Sequence, residues 1–379
     1  MIRILARLWL AVMLPWLQPT LAAGAAEPIT VTDAAGRQVE VQQPVERVIL
    51  GEGRQLYILA ALDRENPFAR IAGWRNDLKE ADPETWHAYL EKFPGAAAIP
   101  SFSGLEQSLI DIETAIAQAP QLVFLNLETK RATEEARYVE TLAALGIATV
   151  YVDFRHDPER NTEATIRNMG RLLGREERAE ALIAFRAEEI QRVTDRLAAA
   201  KPAPPRVFID RAAGFYEDCC HSFGSGNFGA LVEQAGGMNI AKGLIPGTFG
   251  QINPEQVLVA DPDQVIVTSG DWRAYSPAGK WVPVGPGADQ GAVQDRLAYY
   301  PTRPAYSGTN AQKAGAFHAI WHQFYNSPYQ FIAMQQLAKW FHPQLFADLD
   351  PDETFRQLHR RFLPIDYRPG YFATLGGGN

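Results

Sequence analysis

Short β-branched apolar runs alternate along the chain with longer stretches in which apolar residues recur every three to four positions. "RVIL" (47–50), "RIAGW" (70–74), "QLVFLN" (121–126) and "ATVYVDF" (148–154) read as buried strands. Between them, "RQLYILAAL" (54–62) and "ARYVETLAALG" (136–146) follow the helical period, the second ending at Gly146. Strands alternating with helices predict parallel βαβ units. The pattern restarts at "RVFID" (206–210) and continues through "ALVEQAGG" (230–237), "QVIVTSG" (264–270) and "AFHAIW" (316–321).

Residues 160–200 separate the two blocks and are rich in Ala, Leu, Glu and Arg. Leu182, Phe185, Ile190, Val193 and Leu197 fall near one helical face, and Lys201-Pro202-Ala203-Pro204-Pro205 stops the pattern. Such a connector is not a Gly/Ser-rich flexible linker. The expected fold is α/β: two Rossmann-like lobes, 26–158 and 204–379, joined by a long connecting α-helix at 159–203. The lobes repeat one another. "ETAIAQAPQLVFLN" from Glu113 matches "EQVLVADPDQVIVT" from Glu255, and "IPSFSG" (99–104) echoes "IPGTFG" (245–250). Two matched lobes place a ligand cleft between them, outside the carboxyl ends of the strands.

Composition narrows the possibilities. Of 379 residues, 46% are hydrophobic and 21% charged, which suits packed domains. A net charge of -8 with no basic block disfavours nucleic acid or an anionic membrane as partner. Arg3 and Arg7, the apolar run Leu8–Leu17 and the small residues Ala22–Ala26 form a secretory signal peptide, assigned to residues 1–25. No cysteine near the cleavage site would carry a lipid. The mature chain is therefore expected as an exported, soluble protein in a compartment where disulfides form.

"DCCHSFGSGNFGALVEQAGG" (218–237) contains a G-x-G-x-x-G at Gly224, Gly226 and Gly229. A dinucleotide fingerprint would follow its strand directly and have an acidic residue about twenty positions on. Here the strand ends at Asp210 and the first later acid is Glu233, inside the helix. Asn227 instead caps a helix from Phe228 to about Ala235, closed by Gly236-Gly237. Cys219 and Cys220 lack the spacing and the second pair of a zinc site. They are either two free thiols or a disulfide between neighbours. There is no nucleophile elbow, no Walker loop and no carboxylate pair set for acid–base work, so an enzyme is not expected.

"TVYVDF", "LLGREERAEALIAF", "GNFGALVEQAGGMNIA", "NPEQVLVADPDQVIV" and "SPYQFIAMQQLAKWFHPQLF", in their order along the chain, carry a resemblance. With them the mature chain resembles the helical-backbone periplasmic substrate-binding proteins of ABC importers, those for ferric siderophores, haem and cobalamin. The segment 75–98 and the tail beyond about Asp348 are longer than small members need. The resemblance implies a monomeric periplasmic receptor, without a cofactor, that delivers a ferric siderophore to an inner-membrane ABC permease dimer. Haem, cobalamin or a molybdate-type oxyanion is the alternative cargo. It also implies that Glu113 and Glu255, one per lobe, dock onto the permease.

Such cargo calls for arginines to pair with oxygen atoms and aromatic rings to pack on flat groups. Residues just past strand ends supply both: Arg54, Trp74, Arg75, Tyr216, His221, Trp272, Arg273, Tyr275, Trp321, His322 and Tyr325. Arg54 and Arg273 are expected on exposed loops facing each other across the cleft. Tyr216, His221 or Tyr325 would serve as an axial haem ligand. His318 and His322 have an i, i+4 spacing, but "AFHAIW" reads as a strand and no bare-metal site is expected.

Overall fold

The structure, a computed structural model, describes residues 27–102 and 111–377. The signal peptide assigned to 1–25 lies outside the described residues.

Each lobe is built on a five-stranded sheet. In the N-terminal lobe, β1 (Val48–Leu50), β2 (Ile71–Arg75), β3 (Ser101–Phe102), β4 (Leu122–Asn126) and β5 (Ala148–Val152) lie in the order β3-β2-β1-β4-β5, all parallel. In the C-terminal lobe, β6 (Arg206–Asp210), β7 (Met238–Asn239), β8 (Gln264–Ser269), β9 (Phe317–Trp321) and β10 (Phe372–Thr374) lie in the order β7-β6-β8-β9-β10. Only β10 runs antiparallel. Each strand order reverses direction once, between β1 and β4 and between β6 and β8. At such a switch point the loops leave to opposite faces and open a crevice at the carboxyl ends.

The internal repeat is a structural one. Helix Ile112–Ala117 feeds β4 and helix Pro254–Ala260 feeds β8, the strands at the switch points of their sheets. The connector is helical, but in two pieces. Helix Pro158–Leu173 ends at Gly174, whose φ of +64° closes the C-cap, and the connecting helix proper is Glu176–Ala200. A positive φ costs glycine little, so the chain turns there and the two helices pack side by side. The extra segment after β2 forms helices Asp77–Ala81 and Pro83–Lys92; the tail adds helix Pro351–Phe362 and strand β10.

One continuous apolar core joins the lobes. Tyr57 of the first lobe packs against Trp321 and Tyr329 of the second, both at 5.8 Å between ring centres. The glycines at 218–237 serve packing: a Cβ on Gly229 would lie 1.9 Å from the Gly224 carbonyl oxygen. Asn227 caps helix Phe228–Gln234, accepting from the Phe228 N–H at 2.8 Å. The structure joins Cys219 and Cys220 as a disulfide.

Candidate functional site

Past β1 the chain turns through Gly53–Gln55 and enters helix Leu56–Leu62. That turn places Arg54 at the switch point of the N-terminal sheet. It is not exposed: only 9% of it reaches solvent. Arg54 Nε donates to Asp77 Oδ2 at 2.8 Å, and Nη2 pairs with Glu52. Arg54 Nη1 crosses to the other lobe, donating to Gln323 Oε1 at 2.9 Å and to the Tyr325 hydroxyl at 2.8 Å. The Tyr325 ring lies between two guanidinium groups, 5.5 Å from Arg54 and 5.0 Å from Arg155. Arg155, just beyond β5, pairs with Glu128 at 2.8 Å. Its Nε is buried and has no hydrogen-bond partner.

Beside this network opens a cavity of about 440 Å³. Arg54, Arg75, Arg131 and Arg155 line it with Glu52, Asn126, Glu128 and Glu135, at or beyond the carboxyl ends of β1, β2, β4 and β5. From the C-terminal lobe, Arg211 follows β6 and stacks on Phe249 at 4.0 Å.

The electrostatics follow from burial among fixed positive charges. Burial pushes the Glu52 carboxyl up, but Arg54, Arg155 and the Asn326 amide outweigh it and hold Glu52 down at about 2. Asp77 moves the other way, because burial and the Glu52 charge exceed its gain from Arg54. His322 is buried and its Nδ1 lies 2.9 Å from Thr268 Oγ1. Burial, then Arg211, Arg54 and Arg155, hold it well below the usual histidine range, so it stays neutral. A site built this way favours negative charge in a ligand.

The remaining expected residues lie away from this cavity. Trp74, Trp272 and Trp321 are core residues, not cleft walls: Trp74 packs edge-on against Trp86 at 5.2 Å, and Trp272 against His322 at 5.3 Å. Tyr216 stacks on His221 at 4.2 Å and borders a separate cavity of about 250 Å³. Arg273 is exposed, pairs with Asp271 at 3.1 Å and lines a third cavity with Glu84, so it does not stand opposite Arg54. Tyr275 is partly exposed and reaches Glu80 of the other lobe. Glu113 and Glu255 are both exposed, each in the first turn of its helix.

Sequence reasoning missed Glu52, Asp77, Asn126, Arg155 and Gln323. Arg155 was open to discovery, since it directly follows the run "ATVYVDF" much as Arg54 comes shortly after "RVIL". Among the described residues no three His, Cys, Asp or Glu side chains converge to hold a metal ion, and no helix is long and apolar enough to cross a membrane.

Residues 48–320 match the periplasmic binding protein family, a span that takes in the first sheet, the parallel strands of the second and the switch-point cavity. The chain belongs to that family. Within it, the TroA-like periplasmic binding protein FepB from Veillonella parvula has a similar structure: TM-score 0.82, 27% identity, 92% of this chain and 100% of that one. The molybdate-binding protein MolA of Haemophilus influenzae is 23% identical over 370 residues, 89% of this chain and 92% of its own length. A cobalamin-binding protein of Halobacterium salinarum is 25% identical over 243 residues, 63% of this chain and 58% of the relative. This periplasmic binding protein thus has the two-lobed architecture in which a helix joins the lobes. Members of the family bind solutes for ABC transporters.

Proposed function

We propose that this chain, after loss of residues 1–25 as a signal peptide, is a periplasmic receptor that binds an anionic iron complex of the ferric siderophore type. It passes that cargo to an inner-membrane ABC permease dimer. The observation that carries the reading is the convergence of Arg54, Arg75 and Arg155 on the switch-point cavity, with Arg54 and Arg155 also against the Tyr325 ring. Metal-bound catecholate or carboxylate oxygens would accept from guanidinium donors. Arg54 is already committed to Glu52 and Asp77, so it stiffens the site and sets its field. Arg155, which lines the cavity, is the group that would reach the cargo.

A molybdate-type oxyanion is the second reading. It is favoured by the likeness to MolA over most of the chain and by a cavity of about 440 Å³, small for a whole siderophore. Native mass spectrometry and calorimetry with ferric catecholate, ferric hydroxamate, ferric citrate, molybdate and tungstate separate the two. Saturable binding of a ferric chelate, weakened in Arg155→Ala, is the expected result. Binding of molybdate or tungstate alone would replace the siderophore reading with the oxyanion one.

A further inference from the structure

A further cavity, of about 710 Å³, is lined by segments of both lobes and of the connector. Its walls are the first turn of helix Pro158–Leu173, the middle of Glu176–Ala200, the loop at 225–227 and the start of Gln330–Phe341. A polar partition separates this space from the arginine cavity. Asn227 Nδ2 donates to the Arg155 carbonyl at 2.7 Å and to the Tyr325 carbonyl at 2.8 Å.

Arg186 stands in the wall of this second cavity and is only 5% exposed. Its Nε donates to the Pro328 carbonyl at 2.9 Å, and the guanidinium lies 5.7 Å from the Phe331 ring. Among the described residues it forms no ion pair, and its two Nη atoms make no hydrogen bond to the protein and are not fully buried. Burial pulls Arg186 down to about 10, and Glu163 at the rim offsets this only in part. A buried guanidinium without a counter-ion is costly to keep. By contrast the other buried arginine of the junction, Arg54, has two carboxylates.

We infer that this cavity is a ligand site for a small zwitterion with an apolar side chain, an apolar α-amino acid in chemical class. Its carboxylate pairs with the Nη atoms of Arg186, completing the guanidinium fork. Ile190, Leu231, Phe331 and Met334 take the apolar side chain. Asp157, Glu159 and Glu163 face the same space, so a ligand that was only an anion would be repelled at the rim. Asp157 is already used: it caps its helix by accepting from the Arg160 N–H and pairs with the Arg160 side chain. Glu163 forms no ion pair among the described residues and is the acceptor for the ammonium group. The site is independent of the cargo reading, since Arg186 and Glu163 do not line the arginine cavity.

Calorimetry on the mature full-length protein tests this with L-leucine, L-phenylalanine, L-leucinamide (no carboxylate) and isocaproate (no ammonium). Leucine or phenylalanine is expected to bind saturably, and each single-charge analogue at least about tenfold more weakly. Arg186→Gln should lose leucine binding by a similar factor and Glu163→Gln should bring leucine down to the level of isocaproate, with ferric-chelate or oxyanion binding unchanged in both. No saturable binding of either amino acid to the unaltered protein up to about 10 mM would overturn the inference. So would leucinamide or isocaproate binding as tightly as leucine, a result that does not depend on any variant folding.

Discussion

Arg54 Nη1 donates to Gln323 Oε1 at 2.9 Å, joining residues 269 positions apart and in different lobes. Gln323 in turn donates back to the Ala81 carbonyl at 2.8 Å, so the contact is reciprocal. The arginine expected to wait on an open loop for cargo is a tie between the lobes.

Replacing Arg54 with Ala is therefore expected to destabilise the fold strongly. Glu52 and Asp77 would be left buried without their cation, a loss of roughly 3–5 kcal/mol. Denaturant unfolding of Arg54→Ala measures it. A change under about 0.5 kcal/mol, usual for surface positions, would show the network to be unimportant.

Arg155→Ala should weaken cargo binding by about tenfold or more, the scale of a charge-assisted hydrogen bond, with a smaller effect on stability. Arg273→Ala should change affinity by less than about twofold, because its side chain is 76% exposed and lines another cavity. Calorimetry of both variants with the same cargo decides the placement; equal losses would put the cleft between Arg54 and Arg273 after all.

The contribution of Glu84 to stability should fall as pH rises toward neutrality. Burial, then the Asp82 charge and Asp271 across the lobe interface, raise Glu84 from 4.5 to about 7. A raised carboxyl contributes most below its unfolded value, and that contribution is lost as pH climbs through the folded value. Asp82, pushed up to about 6 by burial, acts in the same sense. Glu52, held at about 2, acts oppositely and only in acid: its stabilisation is present above 4.5 and is lost as pH falls toward 2. The stability advantage of the unaltered protein over Glu84→Gln should shrink between about pH 5 and 7; buried His318, His322 and His359, held below the usual histidine range by burial, act in the opposite sense below about 6.5 in both proteins and cancel in the comparison.

Glu113 and Glu255 sit in matching first turns, capped by Asp111 and Asn253. Two exposed carboxylates related by the internal repeat can meet two symmetric basic pockets at once, the second contact being effectively intramolecular. Glu113→Arg combined with Glu255→Arg should leave cargo affinity intact and abolish ligand-stimulated ATP hydrolysis by the cognate permease in liposomes. Normal stimulation would leave both residues only a favourable charge at a helix N-terminus.

Cys219 and Cys220 should resist alkylation in the folded protein until a reductant is added, as expected of a bonded pair. Mass spectrometry after alkylation without reductant would add no label; two labelled thiols would contradict the bridge.

Strand and helix positions could be read from the chain because their cause is local. Seven expected strands end within a residue or two of the observed ones, from Val48–Leu50 to Phe317–Trp321, since burial on both faces demands unbroken apolar runs. The repeat around Glu113 and Glu255 was visible for the same reason. What a side chain does at the end of a strand was settled only by what lies across from it. Trp74 and Trp272 have the same composition signal as Tyr325, yet the first two pack inward and the third faces two arginines. An aromatic ring with a polar edge suits a core or a cleft equally, and only tertiary neighbours choose. Likewise Arg54 and Arg273 look alike in the chain. One is buried because Asp77, Gln323 and Tyr325 arrive from distant segments to satisfy its donors; the other has only Asp271 and stays in water.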